Sequence, residues 1–268
     1  EKLTPNGKLI GVDLDPYALE YTQKRLLEAP ASYSLHQENF REYPKILKKM
    51  GINKLTGILF DLGFSSSQIN TGHRGFSFQS DEPLDMRFNP GTGISACDYL
   101  NKSDANEIRD TIYKYGEERN YRKIAYNIFQ AARRGKMNTT FELKQAVESA
   151  VNPRFLNKSL ARVFQAVRIK INDELGALQQ ALAESTRWLK SGGRIAVISF
   201  HSLEDRIVKQ FFRNSARSCI CPRQYPVCIC NTVPTLKVLT QKAVLPGNLE
   251  MQRNSRSRSS KLRVAERV

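Results

Sequence analysis

Two short apolar runs in this chain end in acids. Ile58-Leu59-Phe60 runs into Asp61, and a Gly, Phe64 and three serines follow within six residues. Lys8-Leu9-Ile10-Gly11-Val12 runs into Asp13, followed by Leu14-Asp15-Pro16. A run this short, bounded by turn residues, reads as a buried parallel strand. A carboxylate at its carboxyl end points into the crevice where open α/β sheets bind ligands, and such acids commonly hold ribose hydroxyls. The same residues serve equally well as plain helix N-caps, with Ser65 and Ser66 as further capping groups after Asp61. A third run, Arg194 to Phe200, delivers Ser199 and His201 to what should be the same sheet edge as Asp61. One histidine in that place is as readily structural as catalytic.

Two other stretches hold chemistry-bearing residues. From Thr71 to Gly93 there is no helical or strand period. Arg74, Phe76, Phe78, Asp85 and Arg87 cluster there, a mixture that suits stacking on a nucleotide and gripping it. A surface loop pinned by a buried Arg–Asp pair explains the same composition. The second stretch is Cys219-Ile-Cys221-Pro-Arg-Gln-Tyr-Pro-Val-Cys228-Ile-Cys230, two Cys-x-Cys pairs with six residues between them. Four thiolates can close a tetrahedral zinc site, although the usual spacing within a pair is two to four residues. The alternative is reduced thiols in a mobile loop. A disulfide framework is not expected, because no secretion signal is visible.

These residues need elements to place them. Strand, helix, strand, helix, strand over Lys8 to Asp61 predicts a parallel, doubly wound sheet. Pro16 starts a helix through Leu27, and Arg41 to Met50 is a basic helix. From Ser95 to Trp188 only helical patterns occur. Within them Leu160, Phe164, Val167, Ile171, Leu175, Leu178 and Leu182 step by three and four. That spacing predicts one long helix with a core-facing stripe, ended by Gly192-Gly193. Arg162 and Arg168 lie off the stripe, where they either contact phosphate or stay solvated. Residues 1–94 and 190–268 then form one α/β domain, and 95–189 an inserted helical subdomain. The final strands are Thr235–Thr240 and Lys261–Ala265, with a basic, Ser-rich, flexible phosphate-contact segment between them.

Composition narrows the partners. The 268 residues are 25% charged and 40% hydrophobic, an ordinary globular balance, and no run approaches the ~18 apolar residues of a membrane helix. The 42 Lys+Arg against 26 Asp+Glu leave a net charge of +16, which favours a polyanionic partner, nucleic acid first.

Several stretches together carry a resemblance: "GVDLDP", "GILFDLGFSSSQI", "RGFSFQSDEPLDMR", "YGEERNYRKIA", "FQAVRIKINDEL", "GGRIAVISFHSLEDRIVK" and "RSRSSKLRVAER". From about Lys8 to Val268 the chain resembles the bacterial small-subunit (16S) ribosomal RNA cytosine-N4 methyltransferase family, RsmH/MraW. The resemblance implies a Rossmann-like class I S-adenosylmethionine-dependent fold with a helical substrate-recognition insert, cytoplasmic, acting on 16S RNA or the small subunit. Carried over residue by residue, it puts cofactor contacts on Asp13 (ribose hydroxyls), Phe40 (near adenine), and Asp61 and Gln68 (the methionine end). Ser199 and His201 are expected to reach the target base. Phe64, Phe76 or Phe78 would stack on it, with Arg74, Arg87 and Arg168 holding the RNA. The family opens with a strand and a turn ending in Gly-Gly-His, and this chain begins just after that point. The expectation is therefore weak cofactor binding. Many amino-methyltransferases hold the amine with an Asp/Asn-Pro-Pro-aromatic motif at this strand end; here the segment is Asp61-Leu-Gly-Phe64, without prolines, so that role cannot be copied across. Two other readings use the same basic face: a non-enzymatic RNA-binding or ribosome-assembly factor, and a DNA amino-methyltransferase.

Overall fold

A computed structural model describes residues 7–29, 31–64, 73–222, 224–225 and 227–268. The fold class is α/β, and the described residues divide into two compact units. One comprises residues 1–37 and 64–174, the other 38–63 and 175–268.

The first unit begins with β1 (Lys8–Asp13), α1 (Pro16–Leu26) and β2 (Ser32–Gln37), the two strands pairing in parallel. Pro16 sits in the first turn of α1, where its missing N–H costs nothing, and Asp15 caps that turn. The rest of the unit is helical: α3 (Ala96–Lys102), α4 (Ala105–Gly116), α5 (Tyr121–Arg133), α6 (Thr140–Glu148) and α7 (Leu156–Asn172). Their apolar faces bury Leu100, Ile112, Ile128, Leu143, Leu160 and Val167 in one core. Gly116 lets α4 approach α7 closely, since a Cβ there would lie 2.8 Å from the Arg162 carbonyl oxygen.

The residues after His73 are not a loose surface loop. Leu84 and Met86 are buried in the helical core, and the chain is tied to it by backbone bonds of Leu84 to Asn138, Ala96 to Asp85, Cys97 to Leu84 and Thr140 to Glu82. The turn that permits this needs Gly75 (φ +73°), where a Cβ would lie 2.5 Å from the Pro83 carbonyl oxygen. Gly75→Ala is therefore expected to destabilise by at least ~2 kcal/mol, of which ~1–2 is the left-handed backbone alone. Gly135 has the same backbone sign (φ +71°) with open space around it. Gly135→Ala should show only the backbone cost, and urea unfolding midpoints of the two variants separate the terms.

The second unit holds α2 (Tyr43–Lys49), β3 (Leu55–Asp61), the body of α8 (Glu174–Trp188), β4 (Leu189–Ser199), α9 (Ser202–Ser215), β5 (Leu236–Val238), α10 (Asn248–Arg253) and β6 (Lys261–Arg267). The sheet order is β3-β4-β6-β5, with β3 parallel to β4 and β6 antiparallel to both of its neighbours. Phe60, Ile195, Val197, Leu236 and Ala265 are buried on it, with Val208 and Phe212 of α9 also in the core.

Four expectations are corrected. Among the described residues the strands form two sheets, and the larger one is mixed because β6 returns antiparallel beside β4. The long helix is two helices. Asp173 takes the left-handed conformation (φ 48°, ψ 42°) and its N–H closes α7 onto the Ile169 carbonyl. The three–four spacing of apolar residues continues along the sequence through this break, so the period alone does not reveal it. Gly192-Gly193 do not end a helix; they lie inside β4, where the register jumps from Leu55↔Leu189 to Gly57↔Arg194. Gly193 fits there because a Cβ would lie 2.8 Å from the Lys190 and 3.1 Å from the Thr56 carbonyl oxygens. Finally, the Ser/Arg segment is a 3-10 turn, Ser255–Ser259, capped by the Asn254 side chain. No described helix is long and apolar enough to cross a membrane.

Candidate active site

In the first unit, Asp13 ends β1 with its carboxylate held in place: Oδ1 accepts the Asp15 N–H at 2.8 Å. Partial burial of the carboxyl raises its pKa; the Asp15 N–H offsets some of that and the Asp15 charge adds to it. Asp15 is itself buried, and one side-chain oxygen accepts the Tyr17 N–H while the other accepts from Arg74 Nη2 at 2.8 Å. In the sequence Asp15 stands out only as part of a turn; an acid directly before Pro at a helix start is the available signal. Arg74 is buried too. Its Nη1 donates to the Phe88 carbonyl at 3.1 Å, and its guanidinium carbon lies 5.6 Å from the centre of the Phe76 ring. Both terminal nitrogens therefore face protein acceptors, while Nε is buried without a hydrogen-bond partner.

Phe76 stacks on Phe64 (5.4 Å between centroids, 12° between planes) and on Phe88 (5.9 Å, 26°). Arg168 lies 4.6 Å over the Phe64 ring, held by two bonds to Glu174 at 2.8 and 3.1 Å. So Phe64, Phe76, Arg74 and Arg168 are brought together. Asn172 locks the arrangement: its amide oxygen accepts the Phe88 N–H, and its NH2 donates to the Met86 and Arg168 carbonyls. Phe78 stands apart, edge-on to Phe164 in the helical core. Arg87 is paired through Nε and Nη2 with Asp85 at 2.8 and 2.7 Å. Burial alone would raise the Asp85 carboxyl, but Arg87 outweighs it and holds the group below the usual carboxylate range.

In the second unit, Asp61 ends β3 opposite Ile198 of β4. It is exposed as a residue, yet partial desolvation raises its carboxyl pKa, and the negative charge of Glu204 adds to the shift. Phe40 packs on Phe60, directly before Asp61, at 5.7 Å, and Tyr43 packs on Phe60 at 6.1 Å. Ser199 is buried with its hydroxyl toward the Lys261 carbonyl at 3.4 Å. His201 is the N-cap of α9 in a reciprocal capping box: its Nδ1 accepts the Glu204 N–H, and the Glu204 carboxylate accepts the Phe200 and His201 N–H groups. His201 Nε2 lies 3.2 Å from Glu204 Oε1, without hydrogen-bond geometry. Glu204 was missed as a site residue; its place three after His201 fits the capping-box spacing. Gln68 lies outside the described residues.

The four clustered cysteines have their sulfurs all within 4.8 Å of one another. Cys97 lies elsewhere, bonded to Asn101 of α3.

Acids at strand ends beside aromatic and guanidinium surfaces are what nucleotide-cofactor and base recognition require. Comparison with known proteins identifies the chain's relatives. Residues 1–268 match the MraW methylase family. The chain is 45% identical to the "Ribosomal RNA small subunit methyltransferase H" of Trichlorobacter lovleyi, covering all of this chain and 87% of that protein. It is 44% identical to the protein of the same name in Caldicellulosiruptor saccharolyticus, covering 100% and 87%, and 41% identical to that of Brevibacillus brevis, covering 100% and 86%. The α/β architecture is that of a Rossmann-like class I S-adenosylmethionine-dependent methyltransferase. The chain belongs to the MraW methylase family.

Proposed function

We propose that this chain is a cytoplasmic enzyme that transfers a methyl group from S-adenosylmethionine to N4 of a cytosine in the decoding region of small-subunit (16S) ribosomal RNA. The observation that carries this reading is the family match along residues 1–268, which includes both strand-end acids. The residues present suit the methyl donor. Asp13 offers a carboxylate acceptor, suited to ribose hydroxyls; Phe40 offers an aromatic face, suited to adenine; Asp61 offers a negative charge, suited to the cationic methionine end. Gln68 is assigned to that end by the resemblance alone.

The donor supplies an electrophilic methyl on a sulfonium. The protein's part is alignment and proton removal, because the cytosine amine is a poor nucleophile with its lone pair delocalised into the ring. Held by Asp13, Phe40 and Asp61, such a donor would supply its methyl to N4 and leave as a neutral sulfide, and the amine would release one proton to solvent. Asp61 positions the donor or the amine. Ser199 and His201 border the base, with His201 oriented by the capping box. A cytosine within folded RNA must be swung out to react, and Phe64, backed by Phe76, receives it. Arg168, pre-set by Glu174, meets the adjoining backbone, and Arg87 extends that contact. Helices between residues 95 and 189 carry the RNA-recognition surface, and the +16 charge makes binding steeply salt-dependent.

Tritium transfer from labelled S-adenosylmethionine to small-subunit particles, naked 16S RNA and DNA tests the reading. Label recovered as N4-methylcytidine from the ribosomal substrates is expected. Label in DNA alone would identify a DNA amino-methyltransferase, and tight RNA binding with no transfer would identify an assembly factor.

A further inference from the structure

The excursion between α9 and β5 is closed at its base by the Thr235 N–H on the Ser215 carbonyl at 2.8 Å. Above that base the apolar side chains face solvent: Ile220 is 63% exposed, Val227 70%, Ile229 68% and Val233 78%. Hydrophobic burial does not account for this segment's shape. What converges instead is sulfur. Cys228 and Cys230 Sγ are 3.5 Å apart, and Cys230 and Cys219 Sγ are 3.8 Å apart. Zinc bonded to thiolates at ~2.3 Å in a tetrahedron separates its sulfurs by about 3.8 Å. Backbone amides also point at the sulfurs: Cys221 N–H at Cys219, Ile229 N–H at Cys221 and Ile220 N–H at Cys230, all at 3.3 to 3.4 Å. Such donors favour thiolate, the form that ligates metal. They also explain how a single intervening residue suffices, since each short Cys-x-Cys turn aims its own amides inward.

We propose that Cys219, Cys221, Cys228 and Cys230 bind one structural zinc ion that fixes the loop between α9 and β5. Binding displaces the thiol protons to solvent, up to four per ion, and forms four zinc–sulfur bonds with no change in oxidation state. All-sulfur coordination selects zinc over hard cations such as magnesium or calcium. With four protein ligands the site is closed, so its role is to hold the loop rather than to activate water.

The full chain, purified without metal-affinity steps or chelators, should carry about one zinc per molecule by elemental analysis. Its four clustered thiols should react with a thiol reagent only after the metal is removed. Reconstitution with cobalt(II) should give the sulfur-to-metal charge-transfer and tetrahedral d–d bands of a thiolate site. Cys221→Ser and Cys228→Ser should each lose those bands, and chelation should open residues 216–235 to protease. Should those variants fail to fold, the wild-type cobalt spectrum and thiol count decide alone. A metal-free wild-type chain after anaerobic reconstitution, four reactive thiols in the presence of zinc, a disulfide between any two of them, or iron in place of zinc would each overturn the proposal. The readouts are metal and thiol chemistry, so they fail or succeed independently of methyl transfer.

Discussion

Replacing Asp61 by alanine or asparagine is expected to abolish methyl transfer while leaving RNA binding intact. The loss should be on the order of 10²–10⁴-fold in single-turnover rate, the range for a positioned acid–base or orienting group. The prediction rests on placement: β3 ends at Asp61, locked to β4 at Ile198, and Phe60 before it is buried against Phe40 and Tyr43. The backbone that carries the carboxylate therefore has a fixed position at the end of the strand. Asparagine keeps the shape and removes the charge, so it tests charge directly. Retained activity in Asp61→Asn would take the charge out of the mechanism. Affinity for RNA, measured alongside by filter binding, should not change.

The same substitution has a stability consequence of opposite sign. Desolvation first, and then repulsion from Glu204, raise the Asp61 pKa above its ordinary carboxylate value. The folded state thus holds the proton more tightly than the unfolded chain. This contribution is fully present below the unfolded-state pKa and is lost as pH rises through the folded one. At neutral pH the ionised group is a liability, so Asp61→Asn should match or exceed the wild type in thermal midpoint while losing activity. The acid limb of the rate profile should likewise lie above the ordinary carboxylate range. A variant that is both inactive and unfolded would show that Asp61 acts through structure.

The strand ends were legible because their signals are local. A short apolar run, an acid and a turn residue fall within ten positions, and both Asp13 and Asp61 stand where that pattern puts them. The structural alternative for His201 was legible for the same reason: it is the N-cap of α9. What escaped were partners distant in sequence. Asp15 and Arg74 are 59 positions apart, and Phe88 and Asn172 are 84 apart, and neither pairing leaves a periodic trace. The break at Asp173 was invisible because the three–four spacing of apolar residues continues along the sequence on both sides of it. Leu59 shows the limit of reading buried strands from composition: it lies in the apolar run of β3 yet is exposed. Phe64 was chosen as a base-stacking ring for its type and place. That its ring is already stacked on Phe76 and covered by Arg168 is a tertiary fact, and it means that an incoming base must share or displace one of those contacts.

Arg74→Met is expected to cost about 3–5 kcal/mol of stability, the range for removing one partner of a buried ion pair. Three acceptors lose their donor at once: the Asp15 carboxylate at 2.8 Å and the Phe88 and Arg87 carbonyls at 3.1 and 3.5 Å. Asp15 is 1% exposed, so water cannot replace the guanidinium without opening the start of α1. The double variant Arg74→Met with Asp15→Asn removes both charges and should be less destabilised than the sum of the two single variants, a coupling that a urea double-mutant cycle measures. The salt dependence of RNA binding separates this clamp from a phosphate contact. Each lost phosphate contact lowers the slope of log K against log salt by about 0.7–0.9. Because the Arg74 guanidinium is buried and both of its terminal nitrogens face protein acceptors, the slope for a folded Arg74→Met chain should equal that of the wild type. Arg168→Met, which removes a cation presented over Phe64, should lower it. If Arg74→Met folded with wild-type stability and a reduced slope, Arg74 would be an RNA contact, and the pinning of this segment would have to come from Leu84, Met86 and Asn172 alone.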